Sequence, residues 1–224
     1  MSETDFVPEV EGIDPQALEL AAELRGVIQA LATHEIDPDA MTHGVGLARQ
    51  LRQTLDGPPK LRWYDAGGEI ATLPSKARIA YMEQSPIRGH LNPVAPPLEI
   101  ERATRADGTA IMVGRTQLGL AYEGPPHGVH GGWVAALFDE MLGVVQGLAG
   151  TQGVTAVLTV KFRHVTPVNE DLRFESWVHQ QRGRRLVAKA TCHAGDTLTA
   201  DAEGIFIRVD FDEVRARMKQ RQTA

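Results

Sequence analysis

The chain has 224 residues, which fits one domain of ~150 residues with an extension, or two small domains. Its hydrophobic content of 42% is that of a globular protein, and a formal net charge of −6 disfavours nucleic acid, whose phosphates call for a basic face. One cysteine, Cys192, excludes an internal disulfide; the acidic N-terminus reads as no signal and no apolar run reaches about 18 residues, so a soluble cytoplasmic protein is expected.

Residues 1–12 read as a disordered acidic tail. Asp14-Pro15 then offers a helix cap followed by a proline at the first helical position, and Leu20, Leu24, Val27, Ile28 and Leu31 follow at helical spacing. A second helix is predicted from Asp37-Pro38, with Met41, Val45, Ala48, Leu51 and Leu55 along one side, stopping at Asp56-Gly57-Pro58-Pro59. The pair reads as a packing accessory. Residues 60–85 carry no clear pattern, and 85–97 hold too many prolines for a helix or a central strand. That stretch is expected to be an extended connector hugging the surface.

From Leu98 onward the periodicity changes. Residues 98–104 and 109–120 read as a hairpin around Asp107-Gly108, followed by a helix over about 132–149. Strands are predicted at 154–164, 172–181, 186–192 and 198–209, with turns at Arg182-Gly183 and Gly195-Asp196, and 210–220 as a short basic helix. Two strands, a helix and four strands joined by short turns make an α+β fold, a curved antiparallel sheet around one apolar helix. The chain divides into the acidic tail 1–12, a helical N-terminal extension 13–84, a main domain 85–209 and a tail 210–224.

The densest chemistry lies at the start of the central helix. A Gly/Pro-rich loop from Ala121 runs through His127 and ends in His130-Gly131-Gly132. Such an entry presents backbone N–H groups and a partial positive charge to an anionic oxygen. Val134, Leu137, Phe138, Met141, Val145 and Leu148 form an apolar stripe, while the opposite side is small except for Asp139 and Gln146. Asp139 is therefore a candidate acid, although the pair Asp139-Glu140 also fits the wet edge of a helix. Glu140 points about 100° away from it. His127 and His130 lack companions at ligand spacing, so no metal is expected.

Distance sharpens the reading. Gly131 and Asp139 are about 12 Å apart along one helix, whereas a single carbonyl needs its donor and its base each within about 3 Å. A two-fold dimer that lays one protomer's loop beside the other's helix resolves the mismatch.

His130-Gly131-Gly132, then Asp139 and Gly143, preceded by Glu123-Gly124-Pro125-Pro126, resembles the hotdog-fold acyl-CoA thioesterases of the PaaI-type and thioesterase-superfamily-member group. The similarity covers roughly residues 85–209 and implies a hotdog fold and hydrolysis of an acyl-CoA thioester without a cofactor, by a homodimer or a tetramer of dimers. It implies that Asp139 is the general base or nucleophile, that the Gly131 N–H forms the oxyanion hole, that His130 holds or polarises the carbonyl, and that Thr155 positions the attacking water. It also implies substrate or coenzyme A contacts at Gly132, Glu140, Lys161, Arg163, Arg184 and Arg185. Gly124 stands where other members carry an asparagine, which leaves out a side-chain oxyanion donor. Two other functions fit the same residues. One is a hotdog enoyl- or hydroxyacyl-thioester hydratase or dehydratase pairing His127 or His130 with Glu140; the other is a non-catalytic acyl-CoA-binding protein.

Overall fold

The computed structural model describes residues 13–59, 82–151 and 153–208. The tail 1–12, most of 60–85 and the basic segment 210–220 fall outside the described residues. Helices α1 (Pro15–Thr33) and α2 (Pro38–Thr54) precede strands β1 (Glu99–Thr104) and β2 (Ala110–Gln117). Helix α3 (Gly131–Val145) runs on into a 3-10 turn, Gln146–Ala149. Strands β3 (Gly153–Phe162), β4 (Asp171–Arg182), β5 (Arg185–Ala194) and β6 (Thr197–Arg208) complete the order expected from the sequence.

The strands form one antiparallel sheet in the order β1-β2-β4-β5-β6-β3. Tight turns with left-handed glycines at Gly183 and Gly195 join the last three strands, which fixes them as antiparallel neighbours. Helix α3 lies in the concave face: Val134, Leu137, Phe138, Met141, Leu142 and Val145 are 0–1% exposed, worth about 1.5–3 kcal/mol each. Phe138 meets Phe174 of β4 edge-to-face at 5.2 Å, and the buried Ser176 hydroxyl donates to the Met141 carbonyl at 2.9 Å. At Gly114 a Cβ would come within 2.5 Å of Met141 Sδ, so the absence of a side chain there lets the helix sit close to β2. This is the hotdog arrangement.

Two expectations need correction. Residues 85–97 are not extended but wound into successive turns, with Gly89 N–H donating to Ser85, Asn92 to Gly89 and Ala95 to Asn92, and Ala95 is fully buried. Prolines exclude a helix here but permit turns, which Gly89 and Asn92 supply. The face by which α1 docks is also different. Leu18 and Ala21 are buried, whereas Val27, Ile28 and Leu31 of the predicted stripe are exposed. The contact is partly polar: Arg25 donates to the carbonyls of His90, Asn92 and Ala95, and Gln29 Oε1 accepts the Ala121 N–H. Hydropathy does not register such a contact. Helix α2 has no buried residue among those described, so Met41, Val45 and Leu55 face outward.

Candidate active site

The head of α3 is built from its own sequence. His130 is the N-cap, and its Nδ1 accepts the Gly132 N–H at 3.0 Å. An accepting Nδ1 carries no proton, so the neutral ring presents Nε2–H outward. The His130 carbonyl takes the N–H groups of Trp133 and Val134. The Gly131 N–H is left without a hydrogen-bond partner among the described residues, at the positive end of a buried helix. Gly132, expected to contact substrate, donates its N–H to His130.

Gly124 has a steric reason. A Cβ there would lie 2.7 Å from the His130 Cα, so the loop packs backbone on backbone and has no room for a side-chain donor. The loop is held by the Gly124 N–H on Gly128 and by Glu123 Oε1, which accepts the His127 N–H. His127 itself sits at φ 59° with its side chain outward.

Asp139 and Thr155 meet. The Thr155 hydroxyl donates to Asp139 Oδ1 at 2.9 Å, across from α3 to β3. The β3–β6 register shifts between Thr155 and Val157, and a bulge of this kind re-aims the side chain beside it. Next to Asp139, Gly143 faces open space: a Cβ built there meets nothing within 4 Å. Glu140 turns the other way and pairs with Arg88 Nε at 2.8 Å. Burial raises the Glu140 pKa, Arg88 opposes that rise and Asp139 adds to it. Arg88 was not foreseen, since it lies some fifty residues upstream in the connector, where one arginine among prolines carries no signal. Burial pushes the Cys192 thiol up to about 11, which removes it as a nucleophile.

The expected cationic contacts separate into two groups. Lys161 and Arg163 stand near the Gly131 end of β3, and Arg163 Nε is already paired with Asp201 at 2.5 Å. Arg184 and Arg185 stand at the opposite end, where Arg184 donates to the Arg208 carbonyl and Arg208 pairs with Gly153. Beside Gly131 a cavity of about 510 Å³ opens between Pro125, Val134 and Phe162, floored by residues 163–166. Phe162 is 56% exposed over Gly131, and Val154 and Val157 are also exposed along β3, a sheet edge with no partner strand among the described residues, with Val165 exposed just beyond its end.

Residues 127–201 match the family model described as Thioesterase superfamily. The acyl-coenzyme A thioesterase THEM5 of Homo sapiens is 29% identical over 99 residues, which make up 43% of this chain and 40% of that protein. The THEM5 of Mus musculus is 30% identical over 99 residues with the same coverage. The chain thus spans well under half the length of the curated relatives it matches. A crystal structure of a thioesterase superfamily protein superposes with a TM-score of 0.68 at 23% identity, covering 85% of this chain and 94% of the other. The resemblance read from His130-Gly131-Gly132 and Asp139 is borne out, and with it the hotdog fold.

Proposed function

We propose that the chain hydrolyses an acyl-CoA thioester, adding water to give the free acid and coenzyme A. The observation that carries this reading is the hydrogen bond from Thr155 to Asp139, which stands on the same helix whose first N–H, at Gly131, has no partner among the described residues. In the proposed step the thioester oxygen takes the Gly131 N–H, with the helix dipole opposing the charge that develops on it. Asp139 takes a proton from a water as the water oxygen adds to the carbonyl, or attacks the carbonyl itself to leave a mixed anhydride that a water then hydrolyses to the free acid; Thr155 fixes its carboxylate. Collapse of the tetrahedral adduct breaks the C–S bond and expels the thiolate.

The two halves of this machinery lie toward opposite ends of β3: Thr155 pairs with Phe206, and Phe162 with Ala200. Antiparallel pairing of β3 with the β3 of a second protomer brings one subunit's Asp139 end to the other's Gly131 end. Its exposed valines support that edge as the interface, because a long apolar edge strand left in water invites pairing. The same pairing carries Arg184 and Arg185 of one subunit toward Lys161 of the other, a cationic surround suited to the phosphates of coenzyme A, while Arg163 beside it is held by Asp201. The hydratase reading needs Glu140 available to a loop histidine, and Arg88 holds it elsewhere.

Free-thiol release across a panel of acyl-CoA esters tests the proposal. Hydrolysis is expected for at least one chain class, and no release from any would refute it. Thr155→Ala is expected to lower kcat several-fold with a smaller change in KM, because a carboxylate-fixing hydroxyl matters most in the transition state. An unchanged kcat would reduce Thr155 to a strand residue.

A further inference from the structure

The cavity beside Gly131 has apolar walls at Val134, Phe162 and Val165 and three polar members, Arg163, His164 and Thr166. Arg163 is committed to its pair with Asp201, and the Thr166 hydroxyl, although it has no hydrogen-bond partner among the described residues, is buried away from the opening. His164 differs. Its Nδ1 lies 2.9 Å from the Leu198 carbonyl, which can only accept, so Nδ1 donates, and in the Nδ1–H tautomer Nε2 keeps its lone pair. The mount is firm, since the N–H groups of Arg163 and His164 both donate to the Thr199 carbonyl, at 2.8 and 3.0 Å. Nε2 has no partner among the described residues, and because Nδ1 is turned to Leu198, Nε2 is the polar edge left to the cavity.

We infer that His164 is a substrate-binding residue whose Nε2 accepts a hydrogen bond from an amide N–H of the pantetheine arm while the thioester carbonyl seats at Gly131. The inference rests on the acyl-CoA reading above. A simple acyl chain offers no donor, whereas the arm next to the sulfur is interrupted by secondary amides. An amide N–H drawn into an apolar cavity needs an acceptor there, or its desolvation is uncompensated. Of the cavity's polar side chains with an unpaired acceptor, Thr166 is buried and His164 is the exposed one, which an entering arm meets first.

Two substitutions separate this role from a structural one. Asparagine at 164 places its amide nitrogen where Nδ1 stands, keeping the bond to Leu198 and losing Nε2. Glutamine places its amide oxygen where Nε2 stands. Kinetics are read on an acyl-CoA, on the matching acyl-N-acetylcysteamine, and on an alkyl thioester of the same acid without an amide. His164→Asn is expected to raise KM about three- to tenfold for the two amide-bearing substrates, with kcat and melting temperature unchanged. The alkyl thioester is expected to show no effect, and His164→Gln to recover part of the loss. Unchanged KM on the amide-bearing substrates, or an equal rise on the alkyl thioester, would overturn the assignment. If the wild-type chain hydrolyses no thioester, the hydrolase reading fails on its own. His164 is then judged by calorimetric titration with coenzyme A, where equal Kd for wild type and His164→Asn would overturn it.

Discussion

Asp139→Asn is expected to cost about 10²- to 10⁴-fold in turnover, the usual loss when a general base is removed, at nearly constant side-chain volume. The fold should survive, since Asp139 is only half-buried and the asparagine oxygen still accepts from Thr155. Glu140→Gln is expected to do the reverse: turnover within a few-fold of wild type, with the change appearing in stability. Burial raises the Glu140 pKa above its unfolded value, so its contribution to stability is fully present at acid pH and is lost as pH rises through that raised value. Glutamine cannot ionise and still accepts from Arg88, so the variant should lack this decline. Activity assays and melting curves across pH read both effects. A dead Glu140→Gln beside an active Asp139→Asn would move the base one residue along the helix and refute the assignment.

Mixing two inactive proteins should restore activity. In a composite site, Asp139→Asn spoils one contribution and a blocked loop, Gly131→Val, spoils the other. A Cβ at Gly131 would meet the Phe162 ring at 3.3 Å, and that ring is exposed enough to swing aside, so valine should be tolerated by the fold. After full subunit exchange about half the dimers are mixed, and each mixed dimer carries one site with both lesions and one with neither. Recovery should approach about a quarter of wild-type sites. If exchange is verified and activity stays absent, base and oxyanion donor reside in one chain and the dimeric mechanism fails.

The hotdog domain was largely legible because its signals are local. Alternation marks the strands, Gly183 and Gly195 mark two turns, and the apolar stripe of α3 marks the element they enclose. The meeting of Thr155 and Asp139 was legible only through family spacing, since nothing in a threonine sixteen residues downstream announces a hydrogen bond. What stayed hidden depends on polar pairs distant in sequence. Arg25 reaches carbonyls 65–70 residues away, and Arg88 reaches Glu140 from a proline-rich stretch. Hydrophobic periodicity contains no term for such contacts, so it assigned α1 the wrong face and left Glu140 looking free to act as a base. His164 was hidden for a related reason: a histidine at the end of a strand reads as solvated until the carbonyl that fixes its tautomer is seen.

The strand order also governs how the molecule is assembled during synthesis. β3 follows α3 closely in the chain, yet its ladder partner is β6, with β4 and β5 made in between. A ribosome releasing the chain from its N-terminus therefore delivers α3, with six side chains destined for the core, long before Thr197–Arg208 can close the sheet around them. Pairing over such separations is slow, and the apolar surface waiting for it is prone to aggregate. Until β6 emerges, the nascent chain holds a greasy helix in an open half-wrapper, and this is the interval in which a chaperone has something to bind.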